Sequence, residues 1–196
     1  MANHTMKTIM RNFEEMLVEM PFNKITVSAL VEKCEISSNT FYYHFRDIYE
    51  LLGTWLFIKG KTYVNLFDNF SQWPEQLKAL LKAMQENPRL VYHVYDAIPK
   101  GRVERFALGP VKEAFYEVLK KRLEGRAVSE VFLQNMASSY CYSTVGFVID
   151  FIQERMTADV DEAVDQLRET FYGITDLMAA KESEGISRDK STGEDP

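Results

Sequence analysis

Between Thr26 and Phe45 the chain reads TVSALVEKCEISSNTFYYHF, a stretch dense in side chains able to recognise another molecule. Ser37, Ser38, Asn39 and Thr40 place small hydroxyl and amide groups at the front of a short helical pattern, each able to donate and to accept. The N–H groups at such a helix start also attract phosphate. Tyr42, Tyr43 and His44 add phenol and imidazole donors one turn further on, while Phe41 and Phe45 are spaced to point back at Val27, Leu30 and Val31. Two short helices joined tightly around Glu35–Ile36 match a helix-turn-helix, whose second helix enters a DNA major groove.

Chemistry that makes or breaks bonds finds little support. There is no Gly-rich phosphate loop, no nucleophile elbow, and no set of His, Cys and Asp at ligand spacing. Three histidines and two distant cysteines give no metal-site pattern, so no catalytic residue, metal or cofactor is expected and the chain is not read as an enzyme. Cys34 and Cys141 sit on apolar helical stripes, as small buried residues with free thiols, which fits a reducing compartment. His93, among Tyr92, Tyr95 and Asp96, suits a ligand contact or a surface position.

Charge limits the mode of binding. With 23 Lys+Arg against 29 Asp+Glu over 196 residues the net charge is −6, which excludes a protein that coats nucleic acid by charge alone. Residues 1–62 hold seven basic and seven acidic groups, so the whole deficit lies in the remainder. The neutral balance of this stretch predicts weak non-specific binding and a shallow salt slope.

The elements that would position these groups are helices throughout. Ile9, Phe13, Met16, Leu17 and Met20 form a stripe that stops at Pro21, and Val27, Leu30, Val31 and Cys34 form a shorter one that Thr26 or Ser28 can cap. Asp47 is an N-cap for a longer pattern through Leu51, Leu52, Trp55 and Leu56. New patterns start near Pro74 and Pro88, and Leu108–Gly109–Pro110 suggests a kink or restart. The last two patterns are the longest, one from Leu133 to Ile152 and one from Val160 to Met178. On the first of these, Ser139, Ser143 and Gly146 make a small-residue stripe that suits either a subunit interface or close packing within the chain. Past Lys181 the chain turns polar and reads as a frayed, disordered tail. No apolar run reaches the roughly 18 residues of a membrane span, and Met1–His4 lacks the pattern of a secretory signal. The expectation is an all-α cytoplasmic protein with no membrane partner.

The residues Thr26, Val27, Leu30, Val31, Ile36, Ser37, Thr40, Phe41, Tyr42, His44 and Phe45, followed by Asp47 and Leu51, resemble the helix-turn-helix motif of TetR-type transcriptional regulators. The run from Phe41 to Tyr49 and the Pro21–Phe22 pair resemble the branch that includes dihydroxyacetone-kinase operon regulators. The resemblance implies a three-helix helix-turn-helix domain over 1–62, a helical ligand-binding and dimerisation domain over 63–180, and about nine helices in all. It implies that Ser37, Ser38, Asn39, Tyr43 and His44 face bases or phosphates, with Thr26, Thr40 and Tyr42 on the phosphate backbone. Partners so implied are double-stranded DNA, a second copy of the chain and a small-molecule effector of unknown identity. The effector pocket would draw on Tyr92, Tyr95, Phe106, Phe115, Tyr140 and Phe147, and the dimer interface on Ser139, Ser143, Gly146 and Phe171.

Two residues depart from the family pattern. Glu35 stands where Gly is usual, so a left-handed backbone there would be strained. Ile48 stands where Lys is common, removing a phosphate contact for which Arg46 substitutes only in part. The leading expectation is therefore a ligand-responsive repressor that binds a pseudo-palindromic operator as a homodimer. The alternative is a partner-dependent co-regulator, or an activator, with weak intrinsic DNA affinity.

Overall fold

The computed structural model describes residues 2–63, 72–97 and 102–192, with the side chains of 2–3, 60–63, 102–107 and 187–192 outside that description. Among the described residues there are nine α-helices and no strand. They are α1 (Ala2–Glu19), α2 (Val27–Lys33), α3 (Ser38–His44), α4 (Ile48–Tyr63), α5 (Trp73–Glu86), α6 (Pro88–Tyr95), α7 (Arg102–Arg122), α8 (Glu130–Gln153) and α9 (Val160–Thr192), with a 3-10 turn at Phe22–Lys24. None of the described helices is long and apolar enough to cross a membrane.

Internal contacts divide the chain into two compact units, Met1–Tyr63 with Ala83–Phe106, and Val64–Lys82 with Ala107–Pro196. The division is not the linear one expected at residue 62, because α6 belongs with the N-terminal helices. Its Val94 is buried in one core with Ile9, Phe13, Leu17, Phe22, Leu30, Phe41, Leu51 and Trp55, and Leu90 and Ala97 pack beside it. Phe13 meets Phe22 and Trp55 edge-on, at 6.2 and 6.4 Å between ring centroids. Such geometry adds to plain area burial.

In the second unit, Trp73 of α5, Phe115 of α7, Tyr140 of α8 and Phe171 of α9 form a closed aromatic cluster. The Tyr140 hydroxyl is satisfied inside it, donating to the Phe171 carbonyl and sharing a hydrogen bond with Thr175. Lys78 of α5 bonds Asp165 of α9 at 3.0 Å, and Lys82 bonds Asp161 at 2.8 Å. Arg122, in the last turn of α7, bonds Asp176 at 2.9 Å and lies over the Tyr172 ring.

Of the kink or restart expected at Leu108–Gly109–Pro110, the restart does not occur: Pro110 lies inside α7, which runs through it. The polar segment past Lys181 does not fray at once but continues α9 to Thr192. Its first turn is tied down by the loop before α8, since Ser129 donates to Glu182 at 2.6 Å and Ser183 donates to the Ala127 carbonyl at 2.9 Å. Polar composition alone missed those two tertiary bonds.

Candidate nucleic-acid interface

The helix-turn-helix is built from two capped helices of seven residues each, too short to persist alone. Thr26 caps α2, its hydroxyl accepting from Ala29 N–H at 3.1 Å. Ser37 caps α3 in the same way, accepting from Thr40 N–H at 3.1 Å, and its oxygen is 2.9 Å from the Thr40 hydroxyl. The sequence assigned Ser37 to DNA, yet its first task is to start the recognition helix. A Ser three residues ahead of a hydroxyl residue at a helix start was the available signal.

The turn between the helices closes through paired backbone bonds. Glu35 N–H donates to the Glu32 carbonyl and Ile36 N–H to the Val31 carbonyl, both at 3.0 Å. This Schellman pattern requires a left-handed residue after the cap, and Glu35 takes it with φ 54°. The strain anticipated from the missing glycine is therefore present. Glu35→Gly is expected to stabilise the head by about 1 kcal/mol, seen as a higher thermal midpoint. The same change removes a carboxylate next to α3. Glu35→Gln is the control: it should raise DNA affinity without raising the midpoint, and equal midpoints for Gly and Gln would refute the strain.

Asp47 then opens α4 as expected, accepting from Tyr49 and Glu50 N–H groups at 2.9 and 2.8 Å. Glu50 reaches back to accept from Arg46 N–H at 2.6 Å, which fixes the corner between α3 and α4.

These contacts sort the recognition helix into two faces. Phe41 and Phe45 are buried, whereas Ser38, Asn39, Tyr42 and Tyr43 face outward, Tyr43 with 79% of its surface exposed. His44 is half-buried, edge-on to Tyr43 at 5.1 Å, and Thr26 and Ser37 remain exposed at the two helix starts. The Arg46 side chain is 85% exposed and lies 3.6 Å from Asp47, a surface pair that water screens strongly. The outward side chains here are hydroxyl, amide, phenol and guanidinium groups. Their donors and acceptors match base edges and phosphates.

Much of the basic charge nearby is already engaged. Lys33 pairs with Glu15 at 3.2 Å and Lys59 with Glu14 at 2.7 Å. Ile48 is half-buried against the head core.

Elsewhere the expected sites separate. Phe115 and Tyr140 come together in the aromatic cluster, while Tyr92 and Tyr95 lie on α6, in the other compact unit. Phe147 stacks on Phe151 at 6.5 Å, and the Phe106 side chain lies outside the described residues. Phe171 is not at a subunit surface: it is 3% exposed, because Trp73, Phe115 and Tyr140 cover it. Ser139 and Ser143 are exposed and Gly146 half-exposed. Both cysteines are buried and free, and burial pushes both thiols up from their ordinary pKa. His93 is half-buried, and its Nδ1 lies 2.8 Å from the Leu17 carbonyl oxygen.

A helix-turn-helix with an outward polar recognition helix, attached to a separate helical unit, defines a DNA-binding transcriptional regulator. Residues 9–53 match the family model described as bacterial regulatory proteins, tetR family, and residues 71–173 match that described as transcriptional regulator C-terminal region. The chain belongs to the TetR family of transcriptional regulators. Among solved structures it is similar to the dihydroxyacetone kinase operon activator DhaS, with TM-score 0.67, 16% identity, and 88% of this chain and 97% of that one covered. It is also similar to NalD of Pseudomonas aeruginosa, the secondary repressor of the MexAB-OprM multidrug efflux pump, with TM-score 0.54, 14% identity and coverage of 88% and 96%. A transcriptional regulator of the TerR/AcrR family from Aquifex aeolicus VF5 gives TM-score 0.54, 19% identity and coverage of 87% and 99%. At these identities the likeness is one of fold. No curated protein matches the chain by sequence.

Proposed function

We propose that the protein is a ligand-responsive repressor that binds a pseudo-palindromic operator as a homodimer in the cytoplasm. The observation that carries the reading is the two-faced recognition helix, with Phe41 and Phe45 inside and Ser38, Asn39, Tyr42 and Tyr43 outside. Ser37, Ser38, Asn39, Tyr43 and His44 face the groove, and Thr26, Thr40, Tyr42 and Arg46 take phosphates. A dimer places two such helices in successive major grooves.

The dimer surface is read from α8 and α9. Ile174, Leu177 and Met178 are 44, 58 and 41% exposed along one stripe of α9, and Val131 and Tyr142 are 68 and 64% exposed on α8. Among the described residues, nothing lies within 4 Å of where an added Cβ at Gly146 or Gly173 would stand, so the packing described there asks for neither glycine. Glycine within a helix costs about 1 kcal/mol relative to Ala, and a closely approaching partner helix supplies the reason. Ser139 and Ser143 share that face. The small-molecule effector belongs to the second unit, where Phe115, Tyr140 and Phe147 are the candidate contacts.

Selection of fragmented DNA from the source genome, sequenced at two salt concentrations, tests the reading. Enrichment of a short inverted repeat supports specific dimeric recognition, and a reporter driven by the adjacent promoter gives the sign of regulation. Likeness to both an activator and a repressor makes that sign a separate question. A folded dimer that enriches nothing at low salt counts against the reading.

The engaged lysines favour one second reading, a partner-dependent regulator with weak DNA affinity of its own. Ile48→Lys discriminates. A lysine can lay its stem along the apolar surface and leave its ammonium at the start of α4. One added phosphate contact per subunit should steepen the salt slope by about two and tighten binding roughly tenfold at low salt. An unchanged slope would show that the missing lysine is not what limits affinity.

A further inference from the structure

We propose that Arg89 and His93 of α6 are positioning residues for the DNA-binding head, capping the C-terminus of α1 from the far side of the sequence. The last carbonyls of any α-helix have no donor within the helix and need one from outside. Beyond α1, the local chain is poorly equipped to supply it. A glycine-type closure needs the N–H of the residue after the cap, and that residue is Pro21, which has none.

Helix α6 supplies the donors instead. His93 Nδ1 lies 2.8 Å from the Leu17 carbonyl oxygen, and Arg89 Nη2 donates to the Glu19 carbonyl at 3.2 Å. A carbonyl only accepts, so Nδ1 of His93 carries the proton. The two donors are four residues apart, on one side of α6, and match two carbonyls of the last turn of α1. The Arg89 guanidinium also meets the negative end of the α1 dipole.

The position matters because the chain just past α1 supports the motif. Leu17 is fully buried beneath the helix-turn-helix, and the backbone continues through Pro21 into Phe22, which is 2% exposed. Phe22 packs edge-on against Phe13 of α1 and against Tyr49 of α4. Leu17, Phe22 and Ile25 thus share one core with Leu30 and Val31 of α2 and Leu51 and Leu52 of α4, and two side chains from α6 hold the upstream end of that segment. Apolar packing by Leu90, Val94 and Ala97 brings α6 to the head, and the two polar bonds fix its register along α1.

Hydrogen exchange on the full-length chain tests the capping without any DNA. In the Arg89→Ala, His93→Ala double variant, amides of residues 17–25 are expected to exchange on the order of tenfold faster, with α9 unchanged. Affinity for an enriched operator fragment should fall by a similar factor. His93→Asn offers an amide N–H where Nδ1 stood, so Arg89 with His93→Asn should recover both protection and affinity. His93→Leu, similar in bulk and without a donor, should recover neither. Unchanged exchange in the double variant, or equal rescue by Leu and Asn, overturns the proposal. The affinity readout rests on the proposed DNA binding; a wild-type chain that binds no DNA yet shows the exchange pattern upholds the capping and counts against that function alone.

Discussion

Phe41→Ala is expected to unfold the DNA-binding head and reduce operator affinity at least 100-fold, while leaving the second unit folded. Phe41 is fully buried, tilted against Phe45 at 5.7 Å and edge-on to Tyr42 at 5.4 Å. Seven residues of helix do not hold their shape without tertiary packing, so α3 depends on this ring and on Phe45 for its position. Removing a buried Phe costs about 3–5 kcal/mol, a large part of the 5–15 kcal/mol that stabilises a typical domain. The two tryptophans allow the units to be followed separately. Trp55 lies in the core of the head and Trp73 in the aromatic cluster of the second unit. In a Trp73→Phe background, Phe41→Ala should shift the remaining Trp55 emission to the red. In a Trp55→Phe background the Trp73 emission should stay. A native Trp55 spectrum together with full operator affinity would sink the prediction. Phe41→Leu, which keeps most of the apolar volume, should fall between the two.

The second large effect is expected from Leu177→Arg. More than half of this side chain is exposed in the single chain, between Ile174 and Met178, so the substitution leaves the fold of one subunit and its thermal midpoint nearly unchanged. In a homodimer built on α8 and α9 the same position is buried, and each interface would hold two unpaired guanidinium groups in an apolar environment. Sedimentation or light scattering should then find a monomer, and operator affinity should drop about 100-fold or more. The drop arises because one recognition helix reads only one half-site, and the second binding event loses its tether. A variant that remains dimeric would move the interface off this stripe. A monomer that binds the operator as tightly as wild type would show that dimerisation is not what gives affinity.

The motif and the periodicities were legible because they are local. Phe41 and Phe45 recur at one helical turn and a bit, Asp47 stands at a helix start, and Cys34 and Cys141 fall on apolar stripes; in each case a side chain's fate depends on neighbours three or four residues away. The same holds for Glu35, whose positive φ comes from the length of the turn and is independent of the rest of the molecule.

The positions that sequence reading misplaced depend on contacts between distant segments. Phe171 reads like any other aromatic on a helical stripe, and only the approach of Trp73, Phe115 and Tyr140 decides that it faces inward. The first polar residues after Lys181, Glu182 and Ser183, are held because Ser129 and Ala127 lie alongside. Lys33 and Lys59 count as basic groups in any composition, but Glu15 and Glu14 of α1 have already engaged them.

By itself, then, the order of residues determined where most helices start, the caps at Thr26 and Asp47 and the helix-turn-helix pattern, since these depend on spacing within a few turns. Tertiary structure alone decided that α6 joins the N-terminal head, and that Arg89 and His93 meet the end of α1 across 70 and 76 positions of chain. No local pattern encodes such a meeting. It arises because an apolar stripe must be buried against some other stripe, and which one is chosen depends on the packing of every helix in the unit.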